Sequence, residues 1–170
     1  MWKGFLGEFI GTFILVFIGC GSVGFSIFIL PLDLWQIALI WGVGVILAIM
    51  SASPFSSSHL NPAVTLGFFV LKMSKRNELV PYITGQFAGA ILAGLVLRSI
   101  FGGYVEAFDV HSAMMFGEFY PNPGNASLTE LDTFSAFSLE CLGTFALMFG
   151  ILKIINLKFE NGKIIYPLLI

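Results

Sequence analysis

The chain has 170 residues, 57% hydrophobic and 11% charged, with a formal net charge of -2 and a mean hydropathy of +0.93. This composition excludes a nucleic-acid partner recruited by basic patches and points to a single membrane domain, with apolar surface facing lipid or neighbouring helices. Cys20 and Cys141 fall inside apolar stretches and offer neither a disulfide framework nor a metal cluster.

A hydrocarbon core of roughly 30 Å calls for about 20 apolar residues per helix. Residues 5 to 30 supply the first span; the run is longer than a signal-peptide core and carries Glu8, so it reads as a retained helix. Residues 34 to 52 form the second, with Trp35 at its start. Next comes Ser57-Ser58-His59-Leu60-Asn61-Pro62-Ala63. Asparagine is a favoured N-cap and proline suits the first helical turn, so a helix begins at Pro62. Residues 62 to 71 are too short to cross and must form a half helix returning to the side it came from, because irregular backbone at membrane depth survives only where protein buries it or water lines it. Residues 79 to 101 and 133 to 155 are the third and fourth spans, and Tyr166-Pro167-Leu168-Leu169-Ile170 reads as the first turn of a fifth.

Lys3, Lys72, Lys75, Arg76, Lys153, Lys158 and Lys163 then share one side, while the 102 to 131 loop carries Glu106, Asp109, Glu118 and Glu130 but no Lys or Arg. Positive-inside bias places the N-terminus in the cytoplasm, and the cytoplasmic membrane is the expected location. Arg98 dissents, near the outer end of its helix, where it can snorkel. Gly7 with Gly11 and Gly85 with Gly89 make small faces for close helix packing. Asn125-Ala126-Ser127 matches a glycosylation triplet in the outer loop.

The phrase Glu8-Phe9-Ile10-Gly11-Thr12-Phe13 recurs as Glu140-Cys141-Leu142-Gly143-Thr144-Phe145, 132 residues later. Three spans separate the copies, so the second runs the opposite way through the membrane. An inverted repeat of this kind places a binding or conduction site at the repeat interface near mid-membrane.

These residues resemble the aquaporin, or major intrinsic protein, family, and more closely its glycerol-facilitator branch. The motifs are Gly7 to Thr12, Ile40-Trp41-Gly42-Val43-Gly44, His59 to Thr65, Gln86 to Ala90, Tyr120-Pro121-Asn122-Pro123 and Glu140, and the likeness covers essentially the whole chain. The resemblance implies an all-α inverted-repeat bundle, here one incomplete domain: a first repeat over 1–101, an outer loop over 102–131 and a partial second repeat over 132–170. Asn61 follows Glu8 by 53 residues, and the same interval from Glu140 reaches position 193. The second half helix, the sixth span and the family's selectivity arginine are therefore expected to be missing, and the chain to stop as the fifth span begins.

What the residues would do follows from their chemistry. Asn61 can aim amide N–H donors into a pore, and the positive end of the half-helix dipole opposes cations and protons there. The resemblance implies that Ser57, Ser58, His59 and Leu60 present a ladder of backbone carbonyls. Pro54 and three consecutive serines replace the family's usual glycine-rich loop and bring extra Cβ atoms to this vestibule. His59 is expected to brace the loop rather than titrate. Glu8 and Glu140 are each expected to satisfy backbone N–H groups of a re-entrant loop, Glu140 being poorly served. Trp41, in glycerol facilitators, would form the apolar wall of the outer constriction.

The expected protein is a passive channel for glycerol, small polyols and water, not an enzyme, using no cofactor or metal, homotetrameric when complete and non-conducting as the short chain alone. The alternative is a non-conducting membrane subunit associating with intact channels. Hydrolysis by Ser58 and His59 is set aside, because sequence neighbours rarely give the geometry of a nucleophile and its base.

Overall fold

The computed structural model describes residues 2–104, 113–117 and 132–155, and among them every regular element is helical. They are α1 (Trp2–Phe28), α2 (Leu34–Ala52), α3 (Pro62–Val70), α4 (Leu79–Phe101), a 3₁₀ turn (Met114–Phe116) and α5 (Thr133–Ile155). The fifth-span start, the Tyr120 motif, the glycosylation triplet, Lys158 and Lys163 lie outside the described residues.

Helices α1, α2, α4 and α5 are long and apolar enough to cross a membrane. With 9 residues, α3 spans about 14 Å, roughly half of the hydrocarbon core. The observed bundle is thus an integral, multi-pass one with a short inserted helix.

Helix α1 is central and packs on both α2 and α4. The two glycine pairs have different partners. A Cβ at Gly85 would come 2.6 Å from the Phe5 carbonyl oxygen, and one at Gly89 would strike that of Phe9, so α4 rides directly on the α1 backbone. Gly7 and Gly11 instead face Ser56, Leu60 and Ala52, making room for the chain that follows α2. Small residues permit such approaches where lipid supplies no hydrophobic drive between helices. Among the described residues α5 touches chiefly α3, through Phe68 and Val64 against Met148 and Ile151.

The segment between α2 and α4 returns to the end it left. Phe55 lines a hollow with Lys3 and Gly4; Ser56 lies against Gly7 and Leu60 against Gly11, so the backbone climbs along α1 into the bundle. After α3, residues Arg76, Asn77 and Val80 lie beside Trp2 and Phe5, at the start of α1.

Candidate pore-loop site

Glu8 is fully buried, and its carboxyl group collects four donors. Oε1 accepts from Ser56 Oγ at 2.8 Å and from the His59 backbone N–H at 3.0 Å. Oε2 accepts from the Leu60 backbone N–H at 2.7 Å and from Gln86 Nε2 at 2.7 Å. Backbone donors of an irregular loop, which hydrocarbon cannot satisfy, are thereby paired.

That pairing supports an unfavourable backbone. Ser58 and Leu60 have φ of 54° and 53°, in the left-handed region that non-glycine residues seldom enter. Strain of this kind amounts to about 1–3 kcal/mol per residue and persists when the surroundings over-determine it. Here the Leu60 side chain is locked against Ala48 and Ala52 while its N–H is held by Glu8. Ser58 is tied at N to Ser56 Oγ (3.0 Å) and at Oγ to the Ile49 carbonyl (3.3 Å).

His59 is buried, stacked on Phe68 with centroids 4.7 Å apart and edge-on to Tyr82 at 5.0 Å. Its Nδ1 lies 3.3 Å from Thr65 Oγ1. Thr65 also donates to the Asn61 carbonyl at 3.1 Å and accepts from Gln86 Nε2 at 2.9 Å. A continuous network thus runs from α1 through α4 to the turn at Asn61.

Asn61 is extended (φ -151°, ψ 127°) and its Oδ1 accepts the Ala63 N–H at 2.8 Å, capping α3 with Pro62 in the first turn. This leaves the amide NH₂ without a partner among the described residues. Asn61 lines a cavity of about 160 Å³ together with Ser57, Ser58, His59 and Leu60. Leu15, Val45 and Ile49 supply apolar walls from α1 and α2, and Leu147, Ile151 and Ile155 supply them from α5. At roughly 30 Å³ per water, this is room for about five waters or one small polyol.

Two further residues were expected away from this turn, Trp41 at an outer constriction and Glu140 against a second loop. Trp41 does not line this cavity; its indole packs on Gly19, one helical turn from Val45 toward the start of α2. Glu140 is exposed and braces no loop among the described residues. Four residues of the network were not singled out as site residues: Ser56, Thr65, Tyr82 and Gln86. Tyr82 accepts the Ser57 N–H at 3.0 Å and donates to Ser57 Oγ at 3.3 Å, fixing Ser57 in the cavity wall. A glutamine inside an apolar span and a threonine four residues after a helix-capping asparagine were the available signals; Ser56 and Tyr82 had none.

The fold and this turn define a membrane-embedded helical bundle in which a buried glutamate holds a re-entrant half helix against a small polar-and-apolar cavity. The Major intrinsic protein family model matches residues 1–170, and the chain belongs to that family. It is 33% identical over 159 residues to "Aquaporin NIP3-1" of Arabidopsis thaliana, covering 93% of this chain and 46% of that protein. It is 32% identical over 155 residues to the "Glycerol uptake facilitator protein" of Haemophilus influenzae, covering 88% and 56%. Identity to the "Propanediol uptake facilitator PduF" of Salmonella typhimurium is 36% over 111 residues, covering 65% and 42%. The chain therefore spans about half the length of these relatives.

Proposed function

We propose that this chain contributes one wall of a passive channel for glycerol, small polyols and water, working without covalent chemistry or a cofactor, in the cytoplasmic membrane with its N-terminus inside and as a homotetramer when the pore is complete. The observation that carries the reading is the Asn61 side-chain NH₂, without a partner among the described residues, at a cavity with apolar walls that include Leu15, Val45, Ile49 and Ile151. A polyol has the matching two faces: hydroxyls for Asn61 and the loop carbonyls, carbons for the apolar walls. Two relatives named for glycerol and propanediol uptake support the same class of solute. In this reading Glu8 and His59 position the loop, Ser57, Ser58 and Leu60 offer carbonyls, and Asn61, Pro62 and Ala63 form the tip. Trp41 stands one turn beyond the cavity as the apolar side of an outer constriction.

The 170 residues by themselves are read as non-conducting, since the described part of α5 leaves most of its surface uncovered. Proteoliposomes bearing the chain alone should swell in a glycerol gradient no faster than empty vesicles. Joined to the C-terminal half of the Haemophilus relative, the chain should restore glycerol flux above that background. In that fusion Trp41→His should lower glycerol flux more than water flux in stopped-flow light scattering, because glycerol needs both faces matched at once. Asn61→Ala removes a donor that either solute uses and a cap of roughly 1 kcal/mol, and should impair both. A fusion that reaches the membrane folded but conducts neither solute, associating with an intact channel instead, would favour the interaction-subunit reading.

A further inference from the structure

Two cavities adjoin at the end of the bundle where α1 and α4 begin, away from the pore loop's own cavity. One is a polar hollow of about 270 Å³ lined by Lys3, Lys75 and Glu78, with the buried Tyr82 in its wall. The other is an apolar groove of about 450 Å³ between Trp2 and Phe5 of α1 and Val80 and Pro81 of α4, with Arg76 in its lining. Asn77 and Pro81 line both, so polar and apolar compartments are continuous.

The charges are unbalanced. Lys3, Lys75 and Arg76 are exposed and form no ion pair with a described carboxylate, while Glu78 Oε2 is turned to the Lys75 backbone N–H at 3.0 Å. Three cations thus face one carboxylate that a backbone donor already engages. Trp2 is 82% exposed beside them and sets its ring edge-on to Phe5, 5.7 Å between centroids. An amphipathic indole at this level suits a bilayer's polar boundary. A cationic hollow that opens directly into a greasy groove on a membrane-facing surface matches the two ends of one kind of molecule.

We propose that this composite cavity is a binding site for an anionic glycerophospholipid, its phosphate held by Lys3, Lys75 and Arg76 and the start of an acyl chain laid between Trp2, Phe5 and Val80. Whatever the pore conducts, the site requires only that the bundle sits in a bilayer. A lysine near a membrane surface contributes roughly a fivefold preference for an anionic headgroup, so a site with three cations should discriminate strongly.

Native mass spectrometry of the detergent-solubilised 170-residue chain, with phosphatidylglycerol and phosphatidylcholine of identical acyl chains, tests this. Phosphatidylglycerol adducts should predominate, and Lys3→Gln with Lys75→Gln should together remove most of the preference, about fivefold per charge. Lys72→Gln, at a cation that lines neither cavity, should leave it unchanged. Fluorescence gives a readout that does not need the lysine variants: brominated phosphatidylglycerol should quench the protein more than brominated phosphatidylcholine, and Trp2→Phe should abolish the difference. Equal retention of the two lipids overturns the proposal. So does an equal loss of preference in Lys72→Gln, which would mean diffuse surface charge. Displacement of phosphatidylglycerol by millimolar inorganic phosphate would likewise overturn it, leaving a simple anion pocket.

Discussion

Glu8 and Glu140 head similar six-residue phrases, each with a glycine three places on, yet the two copies occupy opposite environments. The first lies at the meeting of α1, the re-entrant loop and α4, where Glu8 takes four hydrogen bonds and Gly11 is crowded by Leu60 and Ala52. The second lies on α5, where Glu140 is exposed and a Cβ at Gly143 would meet nothing within 4 Å. A sequence pattern therefore specifies what a residue can hold, and only the packed partner decides whether it holds anything. Substituting the same residue in both copies isolates the partner's contribution.

The largest contrast should come from the acids. Glu8→Ala strips acceptors from two backbone N–H groups, a serine hydroxyl and a glutamine amide at a buried site. Orphaned donors cost about 1–3 kcal/mol each, so a loss of at least about 3 kcal/mol is expected. Thermal unfolding of the purified chain in micelles should show a collapsed midpoint or no cooperative transition. Glu140→Ala should leave the midpoint unchanged to within about 0.5 kcal/mol, the usual range for an exposed site. Equal effects would mean that the Glu8 cluster does not hold the loop.

The glycines should differ in sign. At Gly11 an added methyl meets Ala52 Cβ at 2.9 Å and the Ala48 carbonyl oxygen at 3.1 Å, so Gly11→Ala must push the loop or α2 and should cost about 1–3 kcal/mol. Gly143→Ala adds helix propensity in open space and should stabilise α5 by up to about 1 kcal/mol. Circular dichroism melts of the two variants under one condition compare them directly. A stabilising Gly11→Ala would show that the close approach of loop and helix is slack.

Much of this was legible beforehand for identifiable reasons. The spans 34–52, 79–101 and 133–155 coincide with helices because hydropathy over that length has few other solutions in a membrane protein. The first helix begins at Trp2 and ends at Phe28, earlier at both ends than the apolar run suggested, since Lys3 is tolerated where a helix leaves the hydrocarbon. Helix α3 starts at Pro62 as the Asn-Pro pair requires. What the chain did not disclose was the set of side chains that complete the Glu8 cluster. Ser56 and Tyr82 are ordinary residues until a loop lies across Gly7 and a helix start across Gly4, and that juxtaposition belongs to the tertiary fold. Glu140 is the complementary case, expected to be poorly served: its local phrase is intact while its partner is not among the described residues.

Within the first copy, Ser56 refines the comparison by removing one strand of the cluster without emptying it. Its hydroxyl donates to Glu8 and accepts the Ser58 N–H, so Ser56→Ala leaves one carboxyl oxygen with a single donor and one backbone N–H unpaired. The expected cost is about 1–2 kcal/mol, clearly below that of Glu8→Ala. Combining Ser56→Ala with Glu8→Ala should add little to Glu8→Ala alone, as residues of one network couple rather than add. Full additivity in micelle melts would show that the two side chains act independently.

The smallest effect probes the start of α5, which is exposed. At its start the Ser135 backbone N–H donates to Asp132 Oδ1 at 2.7 Å, and Ser138 Oγ returns to the Phe134 carbonyl at 2.7 Å. Hydrogen bonds from the Ser135 backbone and hydroxyl, joined by the Phe134 backbone N–H, keep the Asp132 carboxyl below its ordinary value against an opposing desolvation. A group whose folded pKa is depressed stabilises the fold above its unfolded value and loses that contribution as pH falls through the folded value. The N-terminal turn of α5 should therefore fray on acidification below the ordinary aspartate range. Carbon-detected NMR titration of the Asp132 carboxyl, with amide exchange at Ser135 and at Leu60, reads both halves in one sample. Asp132→Asn should remove the pH dependence of exchange at Ser135 and leave Leu60 untouched. An Asp132 titrating at the ordinary aspartate value would mean that this cap does not hold the helix start.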